Sequence, residues 1–154
     1  MPHIHEKIDY CVEVFIVHKD KVLLRFHEKH NLWLSVGGHI ELDENPLQAA
    51  VREVKEEVGL DIKIVGSKPA IENEFDYEHL IAPRYLATHH VNDTHQHVVL
   101  IYFATSQSNI ISGSKNEHER AETRWVTKEE LKTMNLRPNI LFYATEVLNE
   151  LGEK

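Results

Sequence analysis

GGHIELDENPLQAAVREVKEEVGL, residues 37–60, is the stretch from which the rest of the chain can be read. Asn45 followed by Pro46 predicts a helix start, because an Asn side chain caps free backbone amides and proline suits the first helical position. Gln48, three residues on, completes a capping box. Gly59 predicts the end, since glycine accepts the left-handed conformation just past a helix C-terminus. Between these signals Leu47, Ala50, Val51, Val54 and Val58 fall at helical spacing and predict one apolar stripe docked on a core. On the other side Glu53, Glu56 and Glu57 stand at i, i+3 and i+4, so their carboxylates converge. Each like-charged pair costs about 0.2–0.5 kcal/mol. Acids in the last turns also oppose the helix dipole by about 0.3–1 kcal/mol each. Arg52 and Lys55 offset part of this, and a doubly positive ion reverses it. Hard carboxylate oxygens with no cysteine nearby suit Mg²⁺ or Mn²⁺ better than zinc. A solvated amphipathic helix is the plainer reading of the same residues.

The flanks decide between the two. Residues 32–36 read as a short strand feeding Gly37-Gly38, which lets backbone approach a ligand or metal, and Glu44 enters just ahead of the helix. Gly38, Glu44, Arg52-Glu53-Val54, Glu56-Glu57 and Gly59-Leu60 together resemble the Nudix box, G-x5-E-x7-R-E-U-x-E-E-x-G-U with U a bulky aliphatic residue, at every defined position. The resemblance implies an α/β fold, the Nudix-type α/β/α sandwich with a mixed β-sheet, and a hydrolase of phosphorus-containing acid anhydrides. It implies that Glu53, Glu56 and Glu57 bind Mg²⁺ (or Mn²⁺), that the carbonyl of Gly37 adds a ligand, and that Arg52 and Glu44 orient the cluster. Family members differ in their general base. Some use a box glutamate, here Glu53 or Glu56, and others an acid on a downstream loop, here Glu117, Glu119 or Glu122.

The reaction so implied is cleavage of a phosphoanhydride in a nucleoside diphosphate linked to another group, with (d)NTPs and dinucleoside polyphosphates in range. Two other classes compete. A Nudix-fold regulatory module binds nucleotide without cleaving it, but such modules usually lose box acids, and all are present here. An isopentenyl-diphosphate isomerase-like protein needs an active-site cysteine, and Cys11 sits in a different context.

Composition sets outer bounds. At 154 residues the chain is expected to form a single domain over 1–154 with room for a proper core. A formal net charge of −8 argues against gripping a nucleic-acid polymer through a broad basic surface. It leaves a phosphate substrate open, because bound dications invert the local field. The lone cysteine, Cys11, lies in an apolar run and reads as a buried structural thiol in a reducing compartment. With no hydrophobic signal core and no membrane-length apolar stretch, the expectation is a cytoplasmic protein with no membrane partner. A homodimer is compatible with such a fold.

In chain order, residues 10–17 and 22–26 are β-branched, apolar runs joined at Lys19-Asp20, which predicts a hairpin. Leu60, Ile62 and Ile64 alternate with polar residues as in a half-buried strand. Residues 67–83, with Pro69, Pro83 and several acids, read as an irregular loop. Residues 84–91 and 97–105 form a second hairpin around Asn92-Asp93-Thr94. Trp125-Val126 opens a short buried segment, and Thr127 with Glu130 caps a short helix. Pro138 opens the last helix, with Ile140, Ala144, Val147, Leu148 and Leu151 as its core stripe and Gly152 as its end. For a nucleoside, Phe75, Tyr77, Arg84, Tyr85 and Tyr102 are the available platforms. Tyr77 lies where diadenosine polyphosphate hydrolases of the family tend to carry a tyrosine. His95-x-His97 with His89-His90 opposite invites a zinc reading, set below the plainer one of solvated histidines near a turn.

Overall fold

The computed structural model describes residues 7–113 and 122–154. Its centre is β1 (Ile8–His18), an eleven-residue strand whose alternate side chains enter two different cores. Val12, Val14 and Ile16 face one side with Leu23, Val36, Tyr102 and the helix α1 (Pro46–Val58). Phe15 and Val17 face the other with Val22, Leu24, Phe103 and the helix α3 (Pro138–Leu151). A sheet buried on both faces by helices is the α/β/α layering expected.

The sheet is mixed. β1 runs parallel to β7 (Gln96–Ser106) over ten registered pairs, Ile8 with Gln96 through Val17 with Thr105. The other pairings are antiparallel. β2 (Lys21–His27) closes the first hairpin on β1 and carries β3 (Leu32–Leu34) and β8 (Thr123–Thr127). β5 (Ile62–Val65) and β6 (Tyr85–His90) both pair with β7. Both hairpins fall where the turn residues put them. The short helix α2 (Lys128–Leu131) starts at Thr127, whose hydroxyl accepts from the Glu130 amide at 3.2 Å.

Three local expectations change. The strand before the glycines breaks at Ser35: β3 pairs with β2, while β4 (Val36–His39) crosses to pair with β1. Gly37 and Gly38 therefore lie inside a strand, not in a loop. Gly37 has to lack a side chain there, since a Cβ would stand 2.1 Å from the Val12 carbonyl oxygen. Val51 is exposed, and Ala49 and Glu53 are buried beside Ala50, Val54 and Val58. The helix is thus rolled so that part of its acidic face looks onto the sheet. The cause is β4, whose two glycines leave room that carboxylates occupy.

α1 keeps its predicted ends. The Asn45 side chain accepts from the Gln48 amide at 3.0 Å, and the Gln48 side chain accepts from the Asn45 amide at 2.9 Å. Gly59 adopts φ 71° and donates to the Lys55 carbonyl. A Cβ at Gly59 would lie 2.1 Å from Ser112 Oγ, where the segment after β7 closes over the helix end. Asn45→Ala is expected to lower stability by about 1 kcal/mol. Gly59→Ala is expected to cost more, because about 1–2 kcal/mol of left-handed strain adds to a contact that must open. Urea denaturation of both variants checks the order.

Candidate functional site

Arg52 is the fixed point of the region. Its Nε and one terminal nitrogen donate to both oxygens of Glu44, at 2.9 and 2.6 Å, a bidentate pair. The same terminal nitrogen donates to the His39 carbonyl at 3.0 Å. The other donates to Glu53 at 2.9 Å and to Glu56 at 3.2 Å. Glu44 is itself held by the Glu41 amide at 2.9 Å, so the loop before α1 is tied to the helix. The hydrogen bond from Arg52 holds the Glu44 carboxyl below the usual carboxylate range, and Glu44 in turn raises the Arg52 pKa. Both stay charged.

Glu53 and Glu57 lie over β4. A Cβ at Gly38 would stand 2.5 Å from Glu53 Oε1, so that glycine makes the seat for this carboxylate. Gly37 meets Glu57 through its amide, which donates at 3.4 Å. Arg25, from β2, donates to Glu57 at 2.7 Å. The Glu53 and Glu57 carboxyls lie within side-chain hydrogen-bonding reach of each other. Burial, ahead of the countering Arg25 charge, pushes Glu57 up to about 7, and burial likewise raises Glu53. Two carboxyls that burial raises and that face each other form a donor set that a dication fits, by stabilising both in their charged form. Glu56 accepts from the same Arg52 nitrogen as Glu53, at 3.2 Å. Lys55 is turned away and pairs with Asp61 at 3.0 Å.

The remaining candidates divide. Glu117 and Glu119 lie outside the described residues. Glu122 is exposed, and its carbonyl accepts from the Phe26 amide at 2.8 Å, one residue from Arg25. Of the aromatic and arginine platforms, Tyr102 is buried in the core and Tyr85 packs on Phe103, Phe142 and Tyr143. Arg84 pairs with Glu150 at 2.7 Å over the Phe103 ring. Phe75 and Tyr77 stay exposed on the irregular segment. Cys11 is buried, and burial together with the charges of Asp9, Glu13 and Glu53 pushes its thiol up to about 12, which suits no nucleophile.

One site residue was missed. Arg25 interrupts the apolar run of β2, and a charge inside a β-branched run was the available signal. Glu13 interrupts β1 in the same way, but on the face toward α3, where it accepts from the Ser35 hydroxyl at 2.7 Å.

A family model for the NUDIX domain matches residues 10–144. A hydrolase of the NUDIX family from Clostridium perfringens is 36% identical, covering 93% of this chain and 97% of its own, with a TM-score of 0.79. The NAD-capped RNA hydrolase NudC of Vibrio atlanticus is 34% identical over 42% of this chain. The m7GpppN-mRNA hydrolase NUDT17 of Xenopus laevis is 34% identical over 49% of it. The matched regions span only 26% and 30% of those two relatives.

The protonated Glu57 sets a pH signature. Its folded pKa lies above its unfolded value, so between about pH 4.5 and 7 the folded chain binds more protons than the unfolded one. Without divalent cations, thermal stability is expected to fall as pH rises from 5 to 7. Glu57→Gln is expected to flatten that fall, which melting curves at a series of pH values would register.

Proposed function

The chain belongs to the NUDIX domain family, and from that membership we propose that it is a Mg²⁺- or Mn²⁺-dependent pyrophosphohydrolase of a small nucleotide. The substrate class is a nucleoside diphosphate linked to another group. The observation that carries this reading is the close pair Glu53 and Glu57 seated beside Gly37 and Gly38, with Arg52 holding Glu44, Glu53 and Glu56 in place. Glu53, Glu57 and Gly37 are the residues that would hold the ion, with Glu56 at its margin. The ion supplies charge neutralisation at the phosphoryl group and a lower pKa for the attacking water.

The chain's own residues do the rest. Arg52 fixes the acids and, engaged by Glu44, Glu53, Glu56 and a main-chain carbonyl, serves as a positioning residue. Arg25 keeps Glu57 oriented by donating to it at 2.7 Å. Glu56 is the group proposed to take the proton from the attacking water. Its side chain is 27% exposed against 4% for Glu53, so solvent reaches it.

Both curated relatives are named for hydrolysing capped RNA. A net charge of −8 favours a small nucleotide over a polymer for this chain. We place it in the cytoplasm as one Nudix domain. No helix among the described residues is long and apolar enough to cross a membrane.

A panel of nucleoside triphosphates, dinucleoside polyphosphates, nucleotide sugars, ADP-ribose and capped RNA oligomers, assayed with Mg²⁺, tests the reading. Metal-dependent turnover of one small-nucleotide class is expected. Glu56→Gln is expected to lower its kcat by about 10²–10⁴-fold. Intact substrates across the panel would refute hydrolysis, and full activity in Glu56→Gln would refute the assigned base.

A further inference from the structure

We propose that Asp9, His39, His95 and His97 form a second metal site, one for Zn²⁺ or a similar transition ion, with Cys11 at its edge. The site is separate in chemistry and position from the glutamates of α1. It arises from the register of three neighbouring strands. Asp9 of β1 pairs with His97 of β7, and Cys11 of β1 pairs with His39 of β4. Asp9 and Cys11, two apart on one strand, point to the same side. His95 comes from the turn that leads into β7. The fold thus gathers residues that are up to 88 positions apart in the chain on one end of the sheet.

The spacing is that of a coordination shell. His39 Nε2 lies 3.3 Å from His97 Nε2 and 3.6 Å from Asp9 Oδ2. His95 Nε2 lies 3.2 Å from the same Asp9 oxygen. Ligands about 2.0–2.1 Å from a tetrahedral zinc stand about 3.3–3.4 Å from one another. Donor atoms of Asp9, His95 and His97 lie within 4.8 Å of one another, and so, as a second set sharing His97, do those of Cys11, His39 and His97. The imidazoles meet edge to face, His39 on His97 with centroids 4.8 Å apart and His95 on His97 at 5.3 Å, so their nitrogens converge.

Burial and ligand type choose the ion and the role. Asp9 is 1% exposed, His95 5%, and His39 and Cys11 8% each. A turn-proximal histidine is expected to be solvated, and His95 is not. Imidazole nitrogens with one carboxylate, and a thiol at hand, suit Zn²⁺ or Co²⁺ over Mg²⁺ or Ca²⁺. Donors drawn from three strands and the turn into β7, all buried except a half-buried His97, suit a structural site. Its place in the fold gives it a task. His39 would ligate through its ring while its carbonyl accepts from Arg52 at 3.0 Å, so an ion clamping β1, β4 and β7 also steadies the Arg52 cluster.

The plainer account is a hydrogen-bonded histidine–aspartate network, and metal titration separates the two. Chelator-stripped protein, kept in excess Mg²⁺ to occupy the carboxylates, is titrated with Co²⁺ and then Zn²⁺. One Co²⁺ per chain with the intense visible absorption of tetrahedral coordination is expected, displaced stoichiometrically by Zn²⁺, with a Tm several degrees higher. Glu53→Gln is expected to keep the cobalt spectrum, and His95→Gln/His97→Gln to lose it. A weak octahedral cobalt spectrum with no zinc-induced Tm shift in the unaltered protein would overturn the proposal, whether or not the histidine variant folds. A cobalt spectrum that survives His95→Gln/His97→Gln but disappears in Glu53→Gln would overturn it too.

Discussion

A single guanidinium, that of Arg52, makes the rest of the region tenable. A helix that gathers Glu53, Glu56 and Glu57 on adjacent turns, two of them looking onto the sheet, works against itself electrostatically. Arg52 answers with donors to Glu44, Glu53 and Glu56 and to the His39 carbonyl. That one side chain joins the loop before α1, the helix and the end of β4. The network is only partly buried, Arg52 being 22% exposed, and its stability rests most on Glu53, the member with least access to water. Glu57 is served separately by Arg25 from β2. The two arginines divide the acids between them, and what is left over is the burial of Glu53 and Glu57 side by side, which raises both carboxyls.

The glycines of β4 supply the other half of this arrangement. Gly37 allows β4 to close on β1, and Gly38 opens the seat into which the Glu53 carboxylate fits. A side chain at Gly38 would displace the Glu53 carboxylate from its seat, and one at Gly37 would push β4 off β1. Close approach of the backbone is therefore what turns a charged helix face into a site. β4 is shared by both clusters. One side of it meets the carboxylates of α1, while the His39 ring joins Asp9, His95 and His97.

How much of this was legible in the sequence follows from the range of each interaction. Asn45, Pro46, Gln48 and Gly59 gave the limits of α1 because a cap is decided within four residues. Lys19-Asp20 and Asn92-Asp93-Thr94 located both hairpins for the same reason. The box glutamates, Arg52 and Glu44 were legible by their spacing, and the structure brings them into one network. The roll of α1 was not, since Val51 and Ala49 are both acceptable on an apolar stripe and only the space over β4 decides between them. Nor were the partners contributed by register across strands: Arg25 for Glu57, Ser35 for Glu13, and Asp9 and His39 for His97. His95-x-His97 was visible as a pair, but its other neighbours depended on the parallel pairing of β1 with β7. The loop acids Glu117 and Glu119 lie outside the described residues.

The central claim is that Glu53 and Glu57, seated on the glycines of β4 and held in place by arginines, make a cage for a hard dication. Anomalous scattering from crystals soaked in Mn²⁺ tests it most directly. The account predicts a manganese peak between those two carboxylates next to Gly37. Well-ordered crystals in which no manganese lies within coordinating distance of either carboxyl would contradict it.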